Sequence, residues 1–218
     1  AHLCAVELLR PVGVYFDNHE RQGMVQTAEG KLLMKDNRSI RNFMVFDVES
    51  IGLHGEGFAV GWVVVNELGY ESESGLMACD PYSARGTANN HSWVTQNIAL
   101  TSKDVECHSP GVVRQEFWQV YERWKAKVVP LSLWADCAWP VEARFLIACI
   151  EDAHLERQWN GPYPLHDIAT LALACGADPL GTFDRLANEL PAHNPLNDAR
   201  QSARLLIGYL RQLGLIPG

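Results

Sequence analysis

The sequence predicts an α/β protein in which helices cover the faces of a mixed central sheet. Three apolar segments of strand length come first, and segments with helical spacing then alternate with a further strand. This order of elements is typical of proteins with a mixed sheet flanked by helices. With 218 residues, of which 47% are hydrophobic and 20% charged, the chain is long enough to bury a sizeable core.

Three strands are predicted in the first half of the chain. They are the apolar runs Phe43–Glu49 and Phe58–Val65, which a Gly-rich turn separates, and the segment Glu73–Cys79. The next segment, Asp80–Asp104, is long and polar and contains Pro and Gly, so it predicts a loop or an irregular excursion. Loops of this length are often functional.

Helices dominate the prediction for the second half. Val112–Lys127 has apolar residues at helical spacing, and the short apolar run Val128–Ala135 fits a buried strand. Pro140 is predicted to begin a helix that continues to Ile150, because proline is favoured in the first helical turn. Three further helices are predicted at His166–Cys175, Thr182–Glu189 and Asn194–Leu213.

Composition limits the classes of function. The formal charge of −8 argues against a broad basic face for long nucleic acid, but not against a site that holds a short strand end. No apolar stretch approaches the roughly 18 residues of a membrane span. The N-terminal segment lacks the pattern of a secretion signal and the six cysteines form no close pair, so the sequence predicts a cytoplasmic protein with reduced thiols. Residues 1–42 carry no motif and are predicted to be an arm of unclear role before one domain at 43–218.

Two carboxylates, Asp47 and Glu49, lie two residues apart at the end of the first predicted strand. Alternate side chains of a strand point to the same face, so both groups share one side of the sheet. Adjacent anions repel each other unless a cation lies between them, and a pair of divalent metal ions commonly supplies this positive charge. A solvated strand end is the alternative for this pair taken alone.

Two later segments offer further candidate ligands. Asp136 follows a buried strand, where α/β proteins often place functional groups, although a turn residue or a helix cap would look the same. Asn194-Pro195 predicts a helix start, which puts Asp198 in the first turn and His193 just outside the helix. Taken alone, His193 could equally be an exposed surface residue.

In their chain order, these residues resemble the DEDDh branch of the 3′–5′ exonuclease superfamily, which includes ribonuclease T, oligoribonuclease and proofreading exonucleases. The resemblance covers roughly residues 43–213. Three motifs carry it: Phe-Asp-Val-Glu-Ser at 46–50, Ala-Asp-Cys-Ala-Trp-Pro followed by Phe145-Leu146, and His193-x4-Asp198. The resemblance implies a ribonuclease H-like fold, with a mixed central sheet flanked by helices, and an exonuclease domain over 43–218.

The resemblance also implies the chemistry. Asp47, Glu49, Asp136 and Asp198 would hold two Mg²⁺ or Mn²⁺ ions, and His193 would be the general base that activates water. The implied reaction is hydrolysis of a single-stranded RNA or DNA 3′ end, which releases nucleoside 5′-monophosphates. The motifs do not decide between RNA and DNA, although we rank an exoribonuclease ahead of an exodeoxyribonuclease.

Substrate contacts are implied next to two of the motifs. Ser50, Ile51, Gly52 and Leu53 match the family's segment that touches the terminal nucleotide. In that segment Ser50 would bond the sugar hydroxyl, and Leu53 would wedge against the base. Trp139 is a candidate for stacking on a base, an interaction worth about 1–3 kcal/mol.

Neighbouring residues receive structural roles. Asp167 is expected to cap a helix rather than bind metal, and Phe145 is expected in the core. The family's common Glu-Thr-Thr-Gly is Glu-Ser-Ile-Gly here, and Pro195-Leu196 stands where small residues are frequent. Neither departure removes a metal ligand.

Other functions remain open. A nucleic-acid-binding or partner-docking module of the same fold could have lost catalysis, although all four carboxylates and the histidine are present. An endonuclease of the wider ribonuclease H-like group is a further alternative, but a histidine five residues before the last Asp favours the exonuclease branch. Dimerisation is frequent among related enzymes, so a homodimer also remains open.

Overall fold

The computed structural model describes Met24–Gln26, Leu32–Met34 and residues 40–218. Contacts divide the chain into two compact units, Ala1–Ser39 and Ile40–Gly218. In the first unit, the short strands β1 (Met24–Gln26) and β2 (Leu32–Met34) pair antiparallel. The rest of the predicted arm up to residue 39 lies outside the described residues, and the role of this arm stays a prediction.

The second unit contains a six-stranded mixed sheet flanked by helices, which confirms the predicted fold class. Its strands are β3 (Asn42–Ser50), β4 (Gly57–Asn66), β5 (Glu71–Cys79), β6 (Val105–Cys107), β7 (Leu131–Ala135) and β8 (Leu165–Asp167). Their order across the sheet is β6-β5-β4-β3-β7-β8. The strands β3, β4 and β5 pair antiparallel, whereas β7 is parallel to β3, β6 to β5 and β8 to β7.

Helices on the two sides of the sheet enclose two hydrophobic cores. The described helices are α1 (Ala88–Asn97), α2 (Pro110–Lys127), α3 (Ala143–Glu151), α4 (His154–Arg157), α5 (Ile168–Ala174) and α6 (Pro195–Gln212). One core packs against α2 and α3, and the other packs against α5 and α6. Among the described helices, none has the length and apolar character needed to cross a membrane.

Alternate side chains of β3 point to opposite faces of the sheet, and this determines the direction of its two carboxylates. Phe43 and Val45 belong to the core that α5 and α6 cover. Asp47 and Glu49 continue this row of alternate residues, so they share the α6 side of the sheet at the C-terminal end of the strand. The predicted common face of the two carboxylates therefore follows from the observed strand.

One helix lies where an irregular excursion was predicted between Asp80 and Asp104. In this segment α1 begins after Thr87, whose side-chain oxygen accepts a hydrogen bond from the Asn90 backbone N–H at 3.3 Å. Only Val94 of this helix is buried, which explains why no apolar spacing marked it in the sequence. Capping and contacts with other segments stabilise α1 in place of a wide apolar stripe.

The predicted helix Thr182–Glu189 is wrong, because this segment contains only a single 3₁₀ turn at Ala187–Glu189. Side chains of α6 bind its backbone carbonyl groups in place of helical hydrogen bonds. Gln201 donates to the Phe183 oxygen at 3.1 Å, and Arg204 donates to the Asp184 oxygen at 2.6 Å. Tertiary contacts thus override the local helix propensity.

Two other helices begin later than predicted. Pro140 lies within an irregular turn at Ala138–Glu142, and α3 begins only at Ala143. Trp139 has an extended backbone there, as expected for a residue before proline. His166 belongs to β8, and the helix that follows begins only at Ile168.

Candidate metal centre

The candidate site lies at the C-terminal ends of β3 and β7. Phe46 pairs with Ala135 in a parallel register, so the residues that follow them, Asp47 and Asp136, leave the two strands side by side. Glu49 lies two residues beyond Asp47 on the same face of the sheet. Strand pairing alone therefore gathers three of the predicted ligands.

The start of α6 supplies the fourth carboxylate and the histidine. Asn194 caps the helix, since its side-chain oxygen accepts hydrogen bonds from the Leu196 and Asn197 backbone N–H groups at 3.2 and 3.3 Å. Asp198 lies in the first turn, where the helix N-terminus favours a negative charge. His193 precedes the cap with a φ of 58°, a backbone conformation that few residues other than glycine adopt.

Three of these side chains converge closely. Glu49, His193 and Asp198 each offer one ligand atom, and these atoms all lie within 4.8 Å of one another. This spacing suits a shared metal ion. It also brings the imidazole within reach of the carboxylates.

The carboxylates of the cluster hold protons more tightly than usual. Burial raises the pKa of Asp47 well above its usual value, and the negative charges of Glu49, Asp198 and Asp136 add to the rise. Burial and the Asp198 charge raise the pKa of Glu49 to about 8. The charged groups that chiefly shift the pKa of Asp47 and Glu49 are all negative, as expected for a site that receives metal cations.

A fifth carboxylate, Glu142, belongs to the same cluster and was missed in the sequence. Its side chain is buried at 6% exposure in the turn before α3. Burial raises the pKa of Glu142 to about 7, and its charge in turn raises the pKa of Asp47 and of Glu49. The available signal was an acidic residue six positions after Asp136, next to a run of core residues.

Gly61 allows α6 to approach the sheet. This residue of β4 pairs with Asp47, and a Cβ atom at its position would lie 2.1 Å from the Leu196 nitrogen and from the Pro195 carbonyl carbon. The helix N-terminus therefore rests directly on bare strand backbone. This close approach brings Asp198 to the Asp47 side of the sheet.

We expect Gly61→Ala to destabilise the protein by about 1–3 kcal/mol, because backbone atoms of α6 must move to admit the methyl group. Displacing the start of α6 should also weaken Mn²⁺ binding, which isothermal titration calorimetry measures. Gly208→Ala is the matched control, since an added Cβ in α6 meets no atom within 4 Å and should stabilise by about 0.5–1 kcal/mol. Unchanged unfolding free energy and Mn²⁺ affinity in Gly61→Ala would contradict this role.

Asp167 has the structural role expected of it. One of its carboxylate oxygens accepts from the Ala138 backbone N–H at 3.0 Å, and the other accepts from the Thr170 N–H at 3.1 Å at the start of α5. Both oxygens are therefore engaged by backbone donors. Its charge nevertheless reaches the site, since it contributes to a raised pKa of Asp136 after burial.

The loop that carries His193 is held by α1 and by the segment that follows this helix. The Ala99 backbone N–H donates to the His193 carbonyl oxygen at 2.7 Å, and the Asn194 side chain donates to the Ala99 oxygen at 2.9 Å. Trp93 of α1, half exposed, lies edge-to-face against the His193 ring with 5.9 Å between ring centroids. The excursion between β5 and β6 thus positions a predicted catalytic residue.

The predicted substrate segment after Glu49 divides into different environments. Leu53 is 66% exposed and is available to a ligand, whereas the Ile51 side chain is fully buried in the core, so a direct side-chain contact of Ile51 with substrate is ruled out. The Ser50 hydroxyl donates to the Gly52 carbonyl oxygen at 2.9 Å, which stabilises the turn. Gly52 has a φ of 75° and packs against the Asn90 side chain of α1, where a Cβ would lie 2.3 Å from its nitrogen.

Trp139 lies on the wall of a neighbouring cleft of about 710 Å³. The turn after Glu49, α3 and Arg85 also line this cleft, whereas the five predicted catalytic residues do not. Trp139 is 67% exposed, which suits a stacking surface, while Phe145 is buried in the core as expected.

No protein-family model matches the sequence, and no curated protein matches it. The fold is similar to that of solved exonucleases. A moderately thermophilic exonuclease I from Methylocaldum szegediense has a TM-score of 0.54 and 14% sequence identity over 79% of this chain. Escherichia coli exonuclease I in complex with a dA16 oligonucleotide has a TM-score of 0.50 and 11% identity over 81% of this chain.

These similarities concern the fold. The alignments span 40% and 41% of the two exonucleases, and 64% of a further similar chain, cell-death related nuclease 4, whose TM-score is 0.44 at 13% identity. The mixed sheet with flanking helices is thus a fold that this chain shares with the two exonucleases I.

Proposed function

We propose that this chain is a metal-dependent 3′–5′ exonuclease of the DEDDh type, acting on single-stranded RNA or DNA. The observation that carries the proposal is the meeting of Glu49, His193 and Asp198 beside Asp47 and Asp136. These residues come from β3, β7 and the start of α6, in the order in which the motifs occur. The fold shared with exonucleases supports the same conclusion.

The donor set fits divalent cations. Asp47, Glu49, Asp136 and Asp198 are hard oxygen ligands, and burial raises the pKa of each, with neighbouring carboxylates adding to the rise at Asp47, Glu49 and Asp136. They would hold two Mg²⁺ or Mn²⁺ ions. Such ions stabilise the charge that develops on the attacking and leaving oxygens of a phosphodiester.

His193 would accept the proton from the attacking water. Its ring is exposed, and Trp93 and the Ala99 hydrogen bond fix its loop, so the imidazole is oriented without being sequestered from substrate. The water would then attack the terminal phosphodiester, and the bond to the 3′ oxygen of the preceding nucleotide would break. The product would be a nucleoside 5′-monophosphate.

The terminal nucleotide would lie at the turn after Glu49. Leu53 is exposed there and would pack against the base, while backbone groups near Gly52 would contact the sugar. Trp139 borders the neighbouring cleft and would stack on a base further along the strand. A strand end, rather than a long duplex, is consistent with a chain of net charge −8.

The proposal is tested by incubating the protein and Mn²⁺ with 5′-labelled single-stranded RNA and DNA. We expect a ladder of 5′-labelled products that shortens from the 3′ end, release of nucleoside 5′-monophosphates, and complete loss of activity in EDTA. A blocked 3′ hydroxyl should stop degradation. The ratio of the RNA and DNA rates would identify the preferred substrate.

Other products would favour the alternatives. Cleavage of a circular oligonucleotide would indicate an endonuclease, and early release of the 5′ label would indicate the opposite polarity. Oligonucleotide binding without hydrolysis under any divalent metal would favour a binding module that has lost catalysis.

A further inference from the structure

One guanidinium lies directly on the candidate metal centre. Nη1 of Arg185 donates to Oδ1 of Asp198 at 2.5 Å and to the Glu189 backbone oxygen at 2.9 Å. The Arg185 side chain is 22% exposed. Within residues 40–218, its Nε and Nη2 have no hydrogen-bond partner. The group thus combines one strong contact to a predicted ligand with unused donors near solvent.

The segment that carries Arg185 is anchored independently of the metal centre. Glu189 is almost fully buried and forms a two-pronged ion pair with Arg204, with contacts of 2.6 and 2.8 Å. The Leu186 backbone N–H also donates to the Glu189 carboxylate at 2.9 Å. These bonds hold the chain on both sides of residue 187, so the guanidinium can change partners while its backbone stays in place.

A metal ion and Arg185 would compete for the same carboxylate. The oxygen Oδ1 of Asp198 accepts from a cationic donor, and a divalent ion bound to this group would repel the guanidinium. A released guanidinium would lie near Glu49 and His193, because one ligand atom of each lies within 4.8 Å of a ligand atom of Asp198. Its planar set of donors matches phosphate oxygens.

We propose that Arg185 is an exchangeable cation of this site, which pairs with Asp198 in the metal-free protein and binds a phosphate of the nucleic acid once metal occupies Asp198. The inference rests on the proposed function. It makes metal and substrate binding cooperative, because the metal would free a residue that the phosphate then uses. Arg185 would be a substrate-binding residue that none of the three motifs contains.

The first measurement is Mn²⁺ affinity by isothermal titration calorimetry without nucleic acid. Arg185→Met should bind Mn²⁺ about threefold to tenfold more tightly than the unmodified protein, since its Asp198 has no internal competitor. Arg185→Lys keeps the charge and should stay near the unmodified value. Arg200→Met is the matched control, because Arg200 pairs with Glu71, at 3.1 and 3.2 Å, rather than with a predicted ligand.

The second measurement is the affinity for the product class, with AMP and dAMP as probes, with and without saturating Mn²⁺. Mn²⁺ should tighten nucleotide binding less in Arg185→Met than in the unmodified protein, by at least about threefold. Circular dichroism of each variant checks that the fold is kept.

The outcomes separate this inference from the proposed function. Equal or weaker Mn²⁺ binding by Arg185→Met would overturn the exchange, as would nucleotide binding that responds to Mn²⁺ as in the unmodified protein. Absence of Mn²⁺ binding by the unmodified protein, or unchanged binding by Asp198→Asn, would instead overturn the proposed metal centre itself.

Discussion

Asp47→Asn is expected to lower the rate of oligonucleotide hydrolysis by about a thousandfold or more. Asp47 lies at the centre of the cluster, where four other carboxylates act on it. Metal ions contribute several kcal/mol of transition-state stabilisation, which corresponds to about this factor in rate. Single-turnover hydrolysis in Mn²⁺ and calorimetric Mn²⁺ titration are the measurements.

The same substitution should stabilise the metal-free protein. Glu49 and Glu142 have pKa values of about 8 and about 7, well above their usual value of 4.5, and the pKa of Asp47 is raised in the same direction. A carboxyl group that holds its proton more tightly when folded lowers stability as the pH rises above its unfolded pKa, by about 1.4 kcal/mol for each unit of difference. In EDTA, unfolding free energy should therefore fall between about pH 4.5 and 8, and less steeply in Asp47→Asn.

Asp167→Asn is the control for a nearby carboxylate that serves the backbone. It should keep Mn²⁺ affinity within about twofold while losing roughly 1 kcal/mol, because asparagine has one acceptor oxygen for the two backbone N–H groups of Ala138 and Thr170. Full activity of Asp47→Asn, or a metal-free stability equal to that of the unmodified protein at pH 8, would argue against the central position of Asp47 in the charge cluster.

His193→Gln is expected to reduce hydrolysis by about a hundredfold to ten-thousandfold, the usual contribution of general acid–base catalysis. Glutamine keeps hydrogen-bonding capacity but cannot take up the proton of water. Mn²⁺ affinity should change little, because four carboxylates remain. Turnover of single-stranded substrate and Mn²⁺ titration separate these two effects.

His108→Gln provides a comparison, since His108 is exposed after β6 and belongs neither to the close cluster nor to the lining of the cleft beside Trp139. Its turnover should stay within about threefold. If His193→Gln lost Mn²⁺ affinity as strongly as Asp198→Asn, the imidazole would be a metal ligand and not the base. This comparison is needed because a ligand atom of His193 lies within 4.8 Å of those of Glu49 and Asp198.

The positions of the predicted ligands could be inferred from the sequence because their signals are local. Asp47 and Glu49 are set on one face by strand alternation, and Asp198 is placed by the Asn194 cap, so short-range rules suffice for each. The register between Phe46 and Ala135 then brings Asp136 alongside. The prediction that these separate segments form one site came from the family resemblance.

The supporting residues depend on tertiary contacts, which a single sequence does not reveal. Gly61 looks like an ordinary strand glycine until the start of α6 is seen against it. Arg185 lies in a segment predicted as helix. The α6 side chains that bind the backbone of this segment and prevent the helix are distant in sequence, so the local pattern could not show them. Glu142 was hidden for a similar reason, since burial of a carboxylate in a turn has no periodic signal.

The hydrogen bonds around Ala99 have a further consequence for His193. They join the segment after α1 to the start of α6 across 95 positions of sequence. Local opening of residues 98–101 must break them, so this stretch and the histidine loop should open together as one cooperative unit, with a shared opening free energy. The fraction of time during which His193 is correctly oriented is then governed by a segment that provides no ligand to the site.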